Sequence, residues 1–145
     1  MPRKRLRPLL VTAVVVAVVA VLVGGYTVFG ALTGPQVYDA DDTSVSVAPG
    51  ETFSLQLEEN ASTGYRWRVE EPEPDADVVT GTGSRYEADE PVLVGSGGGR
   101  YLDFRAGEPG HTKIKLLYCR QCGTPDEDTG SPEATTVTFD VTVQD

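Results

Sequence analysis

The sequence predicts an all-β domain, a sandwich of about seven short strands, preceded by one N-terminal transmembrane helix. Three observations predict this. Apolar residues recur two apart in several short stretches, the spacing that places side chains on one face of a strand. Gly and Pro, 16 and 10 of the 145 residues, punctuate those stretches, and no amphipathic helical period intervenes. Ahead of them, Leu9 to Leu32 carries no charge and is dominated by Val, Leu and Ala.

That uncharged run would reach roughly 36 Å as a helix, enough to cross a hydrocarbon core of roughly 30 Å. Valine is a poor helix former in water, but in lipid the backbone must satisfy its own hydrogen bonds, and helix prevails. Residues 1–8 contain Arg3, Lys4, Arg5 and Arg7. Such a basic cluster stays cytoplasmic, which sends the chain after residues 9–32 outside. The alternative is a cleaved signal peptide, but the run exceeds the usual 7–15 apolar residues and no A-x-A site follows it. Either reading exports the rest. Residues 33–42, with Gly34, Pro35 and three acids, read as a linker, and residues 43–145 as one small domain.

Within that domain Ser44 to Val47 alternates, and Pro49-Gly50 turns the chain. Phe53, Leu55 and Leu57 line one face of a second strand, and Tyr65 to Val69 forms a third. Glu70 to Asp77 is a Pro-rich acidic turn. Val78-Val79 leads towards Tyr86, and a long Gly-rich loop reaches Gly99. Tyr101, Leu102 and Phe104 belong to a further strand, ended by Gly107 and Pro109-Gly110. Ile114, Leu116 and Tyr118 alternate with Lys113, Lys115 and Leu117. After a loop rich in Gly, Pro and acids, Val137, Phe139, Val141 and Val143 face inward from the last strand. Such a pattern fits a sandwich of two packed sheets.

Composition excludes several function classes. The chain has 12 basic and 22 acidic side chains, a formal charge of −10. Four of the basic residues precede the apolar run and no acidic residue precedes Asp39, leaving eight basic against 22 acidic groups beyond it, a net −14. Nucleic acid is not an expected partner, because a phosphate backbone needs a basic face. One His and two Cys leave little material for a zinc site or a His-based triad. No metal, no cofactor and no enzymatic activity are expected, and no base–nucleophile pair is visible.

The unusual residues lie in loops, where function usually sits on a rigid scaffold. Asn60-Ala61-Ser62-Thr63-Gly64-Tyr65 joins the second and third strands, Gly95-Ser96-Gly97-Gly98 precedes the strand at Tyr101, and Cys119-Arg120-Gln121-Cys122 opens the loop before the last strand. In an Ig-like β-sandwich these three loops emerge at one end and form one surface. Taken singly, each has an ordinary reading. The first is a turn whose Asn and Ser bond local backbone, and also a glycosylation sequon. The second lacks the strand-to-helix context of a phosphate loop. Trp67 reads as core. Outside the cytoplasm Cys119 and Cys122 can form a local disulfide, which closes a very small loop. Redox catalysis would need a helix N-terminus or similar device to lower a thiol pKa, and a metal site would have only His111 to add.

Together the three loops resemble the chagasin-type inhibitors of papain-like cysteine peptidases. Asn60 to Tyr65 is similar to that family's N-P-T-T-G-Y loop, Gly95 to Gly98 to its G-x-G-G loop, and Tyr118-Cys119-Arg120 falls at its R-P-W loop. The resemblance implies an Ig-like β-sandwich that blocks the peptidase cleft reversibly, acting as a monomer with a papain-like peptidase as partner. It implies that Ser62 sits nearest the catalytic Cys, with Asn60, Thr63 and Gly64 shaping the tip. Gly95, Ser96, Gly97 and Gly98 would lie along the non-primed cleft, and Arg120, with Gln121, would flank the primed side. Two departures stand out: Ala61 replaces Pro, and Gln121 and Cys122 stand where the third motif has Pro and Trp. A Cys119–Cys122 bridge is expected to stiffen that loop in place of the Pro. The competing expectation is a non-inhibitory extracytoplasmic Ig-like interaction or adhesion domain. A third is a thiol–disulfide module, which a measured reduction potential would separate from a structural bridge.

Overall fold

The computed structural model describes residues 34–145. The run 9–32 and the basic segment 1–8 lie outside the described residues. Among the described residues no helix is long and apolar enough to cross a membrane.

Among the described residues there are eight strands, one more than the alternation suggests: β1 (Gln36–Asp39), β2 (Ser44–Val47), β3 (Thr52–Glu59), β4 (Tyr65–Val69), β5 (Val79–Ala88), β6 (Gly98–Ala106), β7 (Gly110–Arg120) and β8 (Thr135–Val143). They form two four-stranded sheets, in the orders β1-β3-β6-β5 and β2-β8-β7-β4. The additional strand is β1, which falls in the segment read as a linker. It pairs parallel with β3, Gln36 opposite Phe53 and Asp39 opposite Gln56. Its side chains are mostly exposed, so it carries little of the apolar alternation by which a strand is read from sequence.

The facing sides of the sheets supply the core. Phe53, Leu55, Ile114, Leu116 and Phe139 are fully enclosed, each at the inward parity of its strand. The Phe53 and Phe104 rings stack at 5.6 Å. Trp67, expected in the core, is only partly buried. It packs on the core edge and its Nε1–H donates to the Glu58 carbonyl at 2.8 Å.

Two departures from simple alternation bear on the loops. The glycine-rich stretch is shorter than the sequence suggests, because β5 runs on to Ala88 and β6 starts at Gly98, pairing Ala88 with Gly98 and Glu87 with Gly99. Gly98 is required there, since a Cβ would collide with the Glu87 carbonyl and the Tyr86 ring. On β7, Leu117 and Cys119 sit at the outward parity yet are buried. The loop 121–134 folds over them, and with Cys122 and Ala134 they form a second, small apolar cluster.

Candidate functional site

The first loop is built by its own side chains. Asn60 precedes a single 3₁₀ turn (Ala61–Thr63), and its Oδ1 accepts from the Ser62 N–H at 3.2 Å and the Ser62 Oγ–H at 2.6 Å. A short polar side chain that satisfies free backbone donors in this way is what favours Asn at a turn start. Thr63 Oγ1 donates to the Asn60 carbonyl at 2.6 Å and accepts from the Tyr65 N–H at 3.3 Å. Gly64 closes the turn at φ 82, a left-handed conformation that glycine enters without a Cβ penalty. Ala61, Ser62 and Thr63 are thereby held exposed at the tip.

The other two loops are bonded to this one. Asn60 Nδ2 donates to the Gly95 carbonyl at 3.0 Å, joining the first loop to the second. The Gln121 N–H donates to the Gly64 carbonyl at 2.8 Å, joining the first to the third. The Asn60 N–H also donates to the Tyr118 hydroxyl at 3.3 Å, and the Tyr118 ring lies 4.8 Å from Trp67 and 5.4 Å from Tyr65. Asn60 therefore uses backbone and side chain together to tie the first loop to the second and to Tyr118, while Gly64 holds the third.

The second loop is fixed locally: Ser96 Oγ donates to the Leu93 carbonyl at 2.8 Å and accepts from the Leu93 N–H at 3.2 Å. Gly95 takes φ 82. Gly97 lies against the base of the first loop, where a Cβ would make ordinary contact with the Glu59 carbonyl at 3.4 Å.

In the third loop Cys119 and Cys122 are joined as a disulfide, and both are buried. Gln121, between them, takes φ 53, a left-handed backbone that non-glycine residues rarely adopt. Glu127 folds back beneath: its Oε2 accepts from the Gly123 N–H and from Arg68 Nε, each at 2.7 Å, and its Oε1 accepts from Arg68 Nη2 at 2.6 Å. The Arg68 fork, then the Gly123 amide, hold the Glu127 carboxyl far down, at about 2. The bond to Glu127 raises the Arg68 guanidinium in turn. Donor atoms of Cys119, Cys122 and Glu127 lie within 4.8 Å of one another. The sulfurs are spent in the bridge and the carboxylate in the Arg68 fork, so the trio does not form a set of free ligands.

Of the sequence-predicted residues, the exposed ones are Ala61, Ser62, Thr63, Gly95, Arg120 and Gln121, while Asn60, Gly64, Ser96 and Gly97 are half-buried. Tyr65 and Gly98 are buried and lie beneath the surface rather than on it. What sequence reasoning missed is the support under the third loop, Arg68 and Glu127. The only signal was apolar Leu117 and Cys119 at a parity that should face water. Beside the first two loops a cavity of about 870 Å³ opens between the sheets, with Trp67 and Tyr118 in its wall and Asp39, Asp41, Glu58, Asp89 and Glu133 around it.

Known proteins are similar to this chain in sequence and in fold. Amoebiasin-1 of Entamoeba histolytica is 32% identical over 84 residues, covering 57% of this chain and 78% of its own. The solution structure of Amebosin is similar with a TM-score of 0.58 at 28% identity, over 77% of this chain and all of that one. The crystal structure of EhICP2, a cysteine protease inhibitor from Entamoeba histolytica, shares the fold with a TM-score of 0.57 at 22% identity, over 77% of this chain and 100% of its own. Residues 46–143 match the family described as Chagasin family peptidase inhibitor I42. Since that match spans most of the chain and both sheets, the protein belongs to the chagasin family of peptidase inhibitors.

Proposed function

We propose that the domain inhibits papain-like cysteine peptidases reversibly by filling the active-site cleft with its three loops. The observation that carries this is the pair of inter-loop hydrogen bonds, Asn60 to Gly95 and Gln121 to Gly64. They make the exposed tip one preformed wedge, so little conformational entropy is lost on binding. A papain-like nucleophile needs a carbonyl placed for attack. The tip presents Ser62, a small hydroxyl side chain whose Oγ–H is engaged with Asn60, so it occupies the cleft without offering a reactive group. Gly95 and Gly97 let backbone approach the non-primed wall, where main-chain bonds resemble those of an added strand. Arg120 and Gln121 flank the primed side. Tyr65 and Gly98, both buried, support the wedge from beneath. Titration of papain with the purified chain tests the proposal. Reversible loss of activity is expected, and full activity at a large excess of folded chain would contradict it.

The Cys119–Cys122 bridge takes the place of the missing Pro in stiffening the third loop. Its three-residue spacing limits what it adds to global stability, so its effect belongs in binding. Cys119→Ser is expected to weaken inhibition roughly tenfold, the scale of ordering one or two side chains, with a Tm lowered by some degrees because a hydroxyl enters the buried cluster of Leu117, Cys122 and Ala134. Unchanged inhibition would refute this role.

The uncharged run 9–32 behind a basic cluster anchors the chain with its domain outside the cytoplasm. Added protease should then remove the domain from intact cells while cytoplasmic proteins survive. Protection of the domain until the cells are lysed would contradict that orientation.

A further inference from the structure

The third loop departs furthest from the family motif, and it is held by a device that the motif does not contain. It must leave β7 at Arg120 and return to β8 at Thr135. Its exposed tip depends on Gln121 staying at φ 53, which costs free energy unless neighbouring bonds over-determine it. Above Gln121 the bond to Gly64 fixes its N–H, and the Thr124 N–H and Oγ–H donate to its carbonyl at 3.1 and 2.8 Å. Below, Asp128 N–H donates to the Arg120 carbonyl at 2.9 Å, and Glu127 takes the Gly123 N–H. The Gly123 and Asp128 bonds depend on the chain doubling back at Glu127, and the charged partner that meets it there is Arg68.

Arg68 stands on β4, the strand that leaves the first loop at Tyr65, and it lies opposite Leu117 of β7. Its two bonds to Glu127 form a bidentate fork, the strongest and most directional pairing available to a carboxylate. The side chains are only 28% and 22% exposed, so the pair is partly shielded from solvent. One strand thus carries the exit of the first loop and the anchor of the third.

We infer that Arg68 and Glu127 are positioning residues that set the register of Arg120 and Gln121 against the Asn60–Gly64 tip, in place of the Pro and Trp that the third motif lacks. This rests on the inhibitory reading of the three-loop surface. The fork stands beside the small cluster of Leu117, Cys119, Cys122 and Ala134 rather than within the main core. Its loss therefore releases the loop locally and leaves the main core in place.

The test is a double-mutant cycle in the full-length chain with papain: Arg68→Met, Glu127→Gln, and both. Each single variant is expected to raise Ki about tenfold, and the double variant no further than the worse single one. Hydrogen exchange should quicken at Gln121 to Gly123 while amides of β3 and β6 keep their protection. The pH profile adds a readout that a purely structural role would not move. Around the pair stand Glu70 and Glu71, which act on Arg68, and the bridged cysteines, which do not titrate. Glu127 in the native chain stays ionised until pH falls to about 2, so the fork persists through mildly acidic pH. Without Arg68 its carboxyl returns towards the ordinary range. The ratio of Arg68→Met to wild-type Ki should then rise as pH drops from about 6 to 4, and that ratio cancels the peptidase's own titration. Should Arg68→Met fail to fold, Glu127→Gln carries the test, since its amide oxygen still accepts from Gly123. Inhibition and exchange matching the wild type in both single variants would overturn the inference while the inhibitor reading stands. A wild-type chain that leaves papain untouched would overturn both.

Discussion

Ser62→Arg is expected to weaken inhibition of papain on the order of a hundredfold or more, with Tm within a few degrees of the wild type. Ser62 is exposed at the tip of the 3₁₀ turn, so a longer side chain can extend into solvent in the free domain. Its backbone N–H keeps the bond to Asn60 Oδ1, and only the 2.6 Å hydroxyl bond is lost. A surface substitution of this kind costs little stability. In a cleft filled by a close-fitting tip, however, a long cationic side chain has no room. A central contact residue commonly decides about 2 kcal/mol or more of binding. Inhibition titrations of the two proteins, beside their melting curves, check both halves of the expectation. A variant that inhibits as well as the wild type would place the contact elsewhere.

Arg100→Met is expected to give the opposite pattern, a large loss of stability. Glu59, just before Asn60, has a side chain that is 1% exposed, and Arg100 from β6 meets it through Nη2 at 2.6 Å and Nε at 3.1 Å. Its remaining contact is the Trp67 N–H, at 3.4 Å. Removing Arg100 leaves a buried carboxylate without its cation, which costs about 3–5 kcal/mol and would lower Tm by more than about 10 °C. Replacing both partners by apolar residues, Glu59→Leu with Arg100→Met, should recover much of that loss, because no charge is then stranded. Thermal melts of the single and double variants decide it. A double variant no more stable than Arg100→Met would show that the pair holds the base of the first loop through geometry rather than through charge.

The sheets were legible in the sequence wherever one face of a strand is buried and the other wet. Phe53-Leu55-Leu57 and Val137 to Val143 alternate cleanly, and the pairs Phe53–Phe104 and Ile114–Phe139 fall where that alternation puts them. β1 escaped because an edge strand with exposed side chains leaves no period-two signal, only backbone pairing to β3. The long outer loop was legible only in part. Leu117 and Cys119 break the alternation of β7 because the loop, not water, covers them, and a single sequence does not say what lies on top.

The candidate site was legible as three motifs, each weak alone, whose resemblance to one family gave them an order. The bonds that join them were not. Asn60 Nδ2 to Gly95 and Gln121 N–H to Gly64 connect residues far apart in the chain, and neither donor differs in type from those of an ordinary turn. Gly98 illustrates the same limit from the other side. It reads as part of a flexible loop, yet its missing side chain serves the close approach of the Glu87 carbonyl and Tyr86 within the sheet.

The central claim is that the joined tip of the three loops occupies a papain-like cleft. The most direct measurement is a steady-state titration of papain by the full-length chain, with a fluorogenic peptide at several concentrations. The account predicts competitive inhibition: apparent KM rises with inhibitor, kcat is unchanged, activity returns on dilution, and Ser62→Arg loses the effect. A folded chain that leaves papain and a cathepsin L-like peptidase fully active would contradict it, and would favour a non-inhibitory interaction domain that keeps the loops for another partner.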